Sequence, residues 1–268
     1  MMKQIIRLGE LDLECHEFGD GEPLLLLHGG RGFFPDEEAV ALLSAGRRLI
    51  VPSHPGFGNS SLPDWLDSVT DIAHVHLGLL DSLGIHRIDV VGCSIGGWIA
   101  AEIGTMAPER IKRLVMAAPV GVKVGSVDRL DVPDIFAMSQ DDLADLFYHD
   151  SGAAHRDPAD LSDEQLRIML GNRETLTLIS WEPYMHNPKL KHLLHRLHAP
   201  TLFLRGSSDG FVSADYLEAY ARLLPNASTE TLPDVGHDLL GERPAAFVAR
   251  VKAFLSEATQ PQAKLENA

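Results

Sequence analysis

Short, predominantly apolar runs, separated by helical patterns, do most to limit what this chain can fold into. The runs are Leu24-Leu25-Leu26-Leu27, Arg48-Leu49-Ile50-Val51, Ile88-Asp89-Val90-Val91, Leu114-Val115-Met116-Ala117 and Thr201-Leu202-Phe203-Leu204. A strand that is apolar on both faces has to be covered on both faces, which is the condition of a parallel sheet. Between the runs, Val69, Ile72, Ala73, His76, Leu79, Leu80 and Leu83 recur at helical steps, with Ser68 and Asp71 placed to cap the start and Gly84 to stop the end. Further helices are expected over 95–107, closed by Pro108, over 214–224, closed by Pro225, and from Pro244 onward. Residues 5–8 and 11–18 alternate apolar and polar side chains about Gly9-Glu10 and predict an antiparallel hairpin, and 229–232 predicts a last strand. Strands alternating with helices in this way form a doubly wound sheet.

The alternation lapses once. No strand-like run occurs between Gly121 and His198, whereas 141–148, 163–170 and 189–197 carry helical patterns. That interval is too long for an ordinary connection. It predicts a helical cap over 121–185 inserted into a core made of 1–120 and 186–268. A chain of 268 residues leaves room for a sheet domain with such an insertion.

Composition removes several classes of function. The formal charge of −15 repels phosphate backbones and anionic membranes, so neither nucleic acid nor a lipid surface is expected as a partner. No apolar stretch is long enough to span a bilayer, and the first residues lack the apolar core of an export signal. The two cysteines, Cys15 and Cys93, suit a reducing compartment, so a cytoplasmic protein is expected. His192, His195 and His198 recur at three-residue steps, but no carboxylate or cysteine pattern completes a ligand set, so no metal is expected. Gly96-Gly97 is followed by Trp98, not by the lysine of a phosphate-binding loop.

The strand at 88–91 runs into Gly92-Cys93-Ser94-Ile95-Gly96-Gly97, at the start of a helix. A serine in so tight a strand-to-helix turn takes a strained backbone, and small neighbours make room for it. Serine is a weak nucleophile and needs a base that a third group orients. Asp209 follows the strand at 201–204 and His237 follows the strand at 229–232, so both stand where the carboxyl ends of strands deliver functional groups. Asp234 and Asp238 are the rival acids; the position after 114–117 reads Ala118-Pro119-Val120 and offers none.

With His28-Gly29-Gly30, Pro55-Gly56-Phe57-Gly58-Asn59-Ser60, the Ser94 turn, and then Asp209 and His237 in that order, the chain resembles the α/β-hydrolase superfamily over residues 3–258. The resemblance implies a mostly parallel eight-stranded sheet flanked by helices. It implies Ser94 as nucleophile, His237 as base, Asp209 as its orienting acid, and the backbone N–H groups of Gly30 and Ile95 as the oxyanion hole. No cofactor is implied. Arg31, His54, Tyr148, Trp181 and Tyr184 are the candidate substrate contacts, with Arg31 suited to a substrate carboxylate.

The activity expected first is hydrolysis of a small-molecule carboxylic ester through an acyl-enzyme. Residues Trp181-Glu182-Pro183-Tyr184-Met185-His186-Asn187-Pro188 resemble lidded bacterial enzymes that split carbon–carbon bonds of ring-cleavage products, which is the alternative. Those enzymes usually carry Asn before the serine and Trp after the histidine, where this chain has Cys93 and Asp238. Members of the superfamily usually carry Asp at the position of Ser53. Acyl transfer, perhydrolysis and a non-catalytic ligand receptor share the fold, and a homodimer is compatible with it.

Overall fold

A computed structural model describes residues 2–33, 37–154 and 161–257. Strands β1 (Met2–Leu8) and β2 (Leu11–Phe18) form the expected hairpin, and β3 (Glu22–Leu27), β4 (Arg47–Pro52), β5 (Ile88–Cys93), β6 (Ile111–Ala117), β7 (Thr201–Gly206) and β8 (Ala227–Leu232) follow. Their order in one eight-stranded sheet is β1-β2-β4-β3-β5-β6-β7-β8. β2 pairs antiparallel with both β1 and β4, and every other neighbouring pair is parallel.

The apolar runs lie at the centre of this sheet. Leu24 to Leu27, Leu49 to Val51 and Leu202 to Leu204 are all buried, as the two-faced burial of a parallel sheet demands. Helices α1 (Glu37–Ser44), α2 (Val69–Ser82) and α3 (Ile95–Met106) come from the first half of the chain. Ser68 caps α2 by accepting from the Asp71 N–H, as its position in sequence predicts. α1 carries only a short apolar pattern in sequence, with Ala39 and Leu43 buried.

The excursion between β6 and β7 contains α4 (Gln140–Phe147), α5 (Ser151–Ala154) and α6 (Asp163–Ser180). It leaves and rejoins the core at one point: Gly121 and His186 form a parallel bridge, the Gly121 N–H donates to Met185, and the Asn187 N–H donates to Gly121. α6 runs ten residues beyond the helical pattern expected at 163–170. The extension escapes a periodicity test because its inward positions include the buried polar residues Asn172, Thr175 and Ser180. The helix expected at 189–197 is instead two 3₁₀ turns, Leu190–His192 and Leu194–Arg196, and His195 Nδ1 bonds the His192 carbonyl. After β7 come α7 (Ala214–Ala221), α8 (Leu239–Glu242) and α9 (Pro244–Ser256).

β2 departs from a one-sided strand. Its polar residues Glu14, His16 and Glu17 are buried along with its apolar ones. Glu14 accepts from the Ser53 hydroxyl, the Asn59 N–H and the Asn59 amide, and pairs with Lys3. Burial works against ionisation there, but the bonds from Asn59, Lys3 and Ser53 outweigh it and hold the Glu14 carboxyl at about 2. The carboxylate absent from position 53 is therefore supplied to the same loop by β2.

Candidate active site

The carboxyl ends of the parallel strands bring the predicted residues together. β5 delivers Ser94 at φ 53° and ψ −115°, a conformation costly for a side-chain-bearing residue. Its N–H donates to the Ala117 carbonyl, and its own carbonyl accepts from Gly97 and Trp98, so the turn is held from both sides. The flanking glycines are a steric necessity. A Cβ on Gly92 would lie 2.5 Å from the Gly96 oxygen, and one on Gly96 would lie 2.1 Å from the Leu27 oxygen. Ile95 opens α3, so its N–H has no partner within the helix.

His237 Nε2 lies 3.0 Å from Ser94 Oγ, and His237 Nδ1 lies 3.0 Å from Asp209 Oδ2. The other Asp209 oxygen accepts from the N–H groups of Phe211 and Val212 at 2.8 and 2.9 Å. A buried carboxylate satisfied in this way can only accept, so His237 carries its proton on Nδ1 and presents a bare Nε2 to the serine. The histidine ring bonds Asp209 and neither rival acid: Asp234 donates its backbone N–H to the Ser207 hydroxyl oxygen, and Asp238 caps α8 by accepting from Gly241.

The imidazole packs against the rings of Phe147 and Phe211, each 5.1 Å away, and the His237 backbone N–H donates to the Phe147 carbonyl. Glu242 secures the preceding Gly236 N–H at 2.8 Å. Phe211 and Glu242 carry no motif that marks them, because their role depends on packing against a residue far away in sequence. Burial first, and then the nearby Asp238 carboxylate, raise the Cys93 thiol to about 12, so it stays protonated beside the serine.

Gly29 and Gly30 lie against the Ser94 turn and α6. A Cβ on Gly29 would stand 3.6 Å from Ser94 Cβ, and one on Gly30 would stand 2.7 Å from a Leu176 methyl carbon. Arg31, next in the loop, has its guanidinium 5.6 Å from the Tyr148 ring centre and 3.6 Å from Asp238. Its side chain is 56% exposed. The ion pair thus links the residue after Gly30 to the residue after His237.

Of the expected substrate contacts, His54 requires correction, while Tyr184 and Trp181 are held by contacts of their own. His54 is fully buried beneath the loop, where Nε2 donates to the His28 carbonyl and Nδ1 accepts from His76 Nε2 at 2.8 Å. The His54 N–H donates to His28 Nε2, so His28 holds its proton on Nδ1 and donates it to the Gly29 carbonyl. All three histidines are neutral: burial lowers His28 to about 4 and His76 to about 3, and pushes His54 well below the ordinary range. Tyr184 is occupied by structure, since its hydroxyl donates to the Pro133 carbonyl and accepts from the Ile135 N–H. Trp181, 51% exposed, packs on the rings of Phe136 and Tyr184 within the excursion. Tyr148 alone of the three expected cap contacts stands beside the histidine loop, where its Cα would meet a Cβ on Gly236. Among the described residues no cluster of His, Cys, Asp and Glu could hold a metal, and no helix is long and apolar enough to cross a membrane.

The family model described as the alpha/beta hydrolase fold matches residues 22–244. A 2-hydroxymuconate semialdehyde hydrolase of Pseudomonas putida is 30% identical, over 91% of this chain and 90% of its own. A poly(3-hydroxyalkanoate) depolymerase of Ectopseudomonas oleovorans is 27% identical, over 89% of this chain and 86% of its own. The solved structure of a meta-cleavage product hydrolase from Pseudomonas fluorescens IP01 superposes with a TM-score of 0.74 at 21% identity, covering 91% of this chain and 94% of the other. With the strand order, the strained serine turn and this match along most of its length, the chain belongs to the α/β-hydrolase fold family.

Proposed function

We propose that this protein hydrolyses a carbon–carbon bond in a small acidic ring-cleavage product, with Ser94, His237 and Asp209 as its catalytic triad. The observation that carries the reading is the likeness to the 2-hydroxymuconate semialdehyde hydrolase along nine-tenths of both chains, combined with a triad connected at hydrogen-bond distance. Ester hydrolysis, the activity expected first from the motifs, becomes the second reading. It is favoured by the depolymerase relative and by Asp238, a carboxylate at the mouth of the site that disfavours anionic substrates.

In this mechanism Ser94 Oγ attacks a ketone carbon while its proton passes to His237 Nε2. The oxyanion takes the N–H groups of Gly30 and Ile95. The substrate reacts as its 2,6-dioxo tautomer, whose C5 already carries its second hydrogen: collapse breaks the C5–C6 bond, the electron pair passes through the C3=C4 double bond to the 2-oxo oxygen, and the dienolate so formed takes up the proton from His237. Water, deprotonated by His237, then frees the acyl group. Asp209 keeps the imidazole in one tautomer and stabilises its charged form. An ester differs only in that an oxygen leaves.

Arg31 is the group suited to the substrate carboxylate, exchanging its exposed pairing with Asp238 for one with the ligand. Tyr148 would support it from below. Residues 121–185 form the cap on this reading. The test is a comparison of kcat/KM for a 2-hydroxy-6-oxo-dienoate with that for a neutral aryl ester of similar size. A preference for the dienoate by tenfold or more is expected; a preference of that size for the ester would replace this reading by the second.

A further inference from the structure

Helix α6 reaches down to two loops of the core with two buried polar side chains. Asn172 Nδ2 donates to the Arg31 carbonyl at 2.8 Å, and its Oδ1 accepts from the Gly58 N–H at 2.9 Å. One turn on, Thr175 Oγ1 donates to the Gly56 carbonyl at 2.9 Å. Both side chains are almost fully buried. The loop is shaped to receive Asn172: Gly32 sits at φ +91°, and a Cβ there would lie 2.3 Å from the Asn172 amide nitrogen. Leu176 meanwhile covers Gly30. The Gly32 N–H closes the turn onto the Gly29 carbonyl, so residues 29–32 are held from within and from α6.

A hydrogen bond to the Arg31 carbonyl acts on the Arg31–Gly32 peptide, two peptides on from the Gly29–Gly30 peptide that carries the Gly30 N–H, within the same closed turn. Rotation of the 29–32 turn would swing the Gly30 N–H away from the Ser94 turn. From below, the His28 carbonyl is fixed by His54. From above, the Arg31 carbonyl is fixed by Asn172 alone among the described side-chain contacts. We propose that Asn172 is a positioning residue, which holds the Gly29–Gly32 turn so that the Gly30 N–H faces the developing oxyanion. The proposal rests on the reading of Gly30 and Ile95 as the oxyanion hole. It couples the seating of α6 to the chemistry at Ser94: a helix lifted off the core takes the hydrogen bond with it.

Thr175 supplies the control, because it makes an equally buried hydrogen bond from the same helix but only to the Gly56 loop. Asn172→Asp keeps an acceptor for Gly58 and loses the donor to Arg31. Thr175→Val loses the donor to Gly56 at nearly constant shape. The readout is the reaction of Ser94 with an alkyl fluorophosphonate, in which Oγ bonds to phosphorus, fluoride leaves and the P=O oxygen occupies the oxyanion site. Asn172→Asp and Asn172→Ala should lower the limiting rate of phosphonylation by about tenfold to a hundredfold, the effect of a misplaced catalytic donor, with the apparent binding constant moved less than about threefold. Thr175→Val should stay within about twofold of the parent rate while its Tm falls as far as that of Asn172→Asp. A parent protein that reacts readily, with Asn172→Asp and Thr175→Val slowed equally or not at all, overturns the positioning role and leaves the triad reading standing. A parent protein inert to the probe removes the triad reading, and the proposal with it.

Discussion

Asp209→Asn isolates what the buried carboxylate contributes to chemistry from what it contributes to the fold. The carboxylate divides its work: Oδ1 takes the Phe211 and Val212 N–H groups, and Oδ2 takes the His237 proton. An asparagine can keep its single oxygen on the two backbone donors, where both are needed because the side chain is wholly buried. The amide nitrogen then faces His237 Nδ1, so two donors confront each other and the ring must carry its proton on Nε2 instead. In that tautomer it cannot accept the Ser94 proton. The expected loss is about ten-thousand-fold in kcat, the effect of the wrong tautomer in Ser-His-Asp enzymes, or about 5–6 kcal/mol of transition-state stabilisation. Asp209→Ala should in addition strand two buried N–H groups, at about 1–3 kcal/mol each, so it alone should lower stability by about 2–6 kcal/mol. Single-turnover acylation at pH 7.5, paired with urea unfolding of each variant, measures both quantities. Asp209→Asn retaining more than a tenth of parental activity would refute the tautomer argument, and with it the assignment of Asp209 over Asp234 and Asp238.

Arg31→Gln should raise KM for a carboxylate substrate about tenfold and leave kcat nearly unchanged, since a half-exposed charge contributes less than a buried one, and KM for a neutral ester should not rise; equal effects on the two substrates would contradict carboxylate recognition. Acid should destabilise the protein from about pH 6.5 downward. His28, His54 and His76 stay neutral when folded because burial lowers them, whereas the unfolded chain takes up protons, so stability present above pH 6.5 is lost toward pH 4 at up to about 1.4 kcal/mol per pH unit for each ring. A urea midpoint that stays flat between pH 7 and pH 5 would contradict that. Gly96→Ala should fail to fold or lose at least about 3 kcal/mol, because its Cβ would meet the Leu27 carbonyl inside the sheet at 2.1 Å and backbone cannot step aside; a stable, active variant would show the elbow to be looser than described.

Those variants probe features of unequal visibility in the sequence. Ser94, Asp209 and His237 are legible because each follows a strand, apolar in β5 and β7 and alternating in β8, and a strand's end fixes where the next residues emerge. The helix caps and the hairpin were legible for the same local reason. The side of the loop that His54 faces is not legible, because Ser53-His54-Pro55 gives no sign of it. Its burial and its contacts with His28 and His76 show that it points into the core. Asn172 was invisible for a related reason. A polar residue on a helix reads as solvent-facing until the structure shows two core loops waiting for it. The end of α6 and the 3₁₀ turns at 190–196 depend on tertiary packing, which overrides a weak local pattern.

The central claim, that Ser94 opens a carbon–carbon bond through a covalent acyl intermediate, is tested most directly by acid-quenching the enzyme during turnover of a 2-hydroxy-6-oxo-dienoate and weighing its peptides. The account predicts a mass increase equal to the acyl fragment of the substrate on the peptide containing Ser94, absent from Ser94→Ala, which should be inactive. An unmodified Ser94 peptide during fast turnover, with Ser94→Ala retaining parental activity, would contradict it.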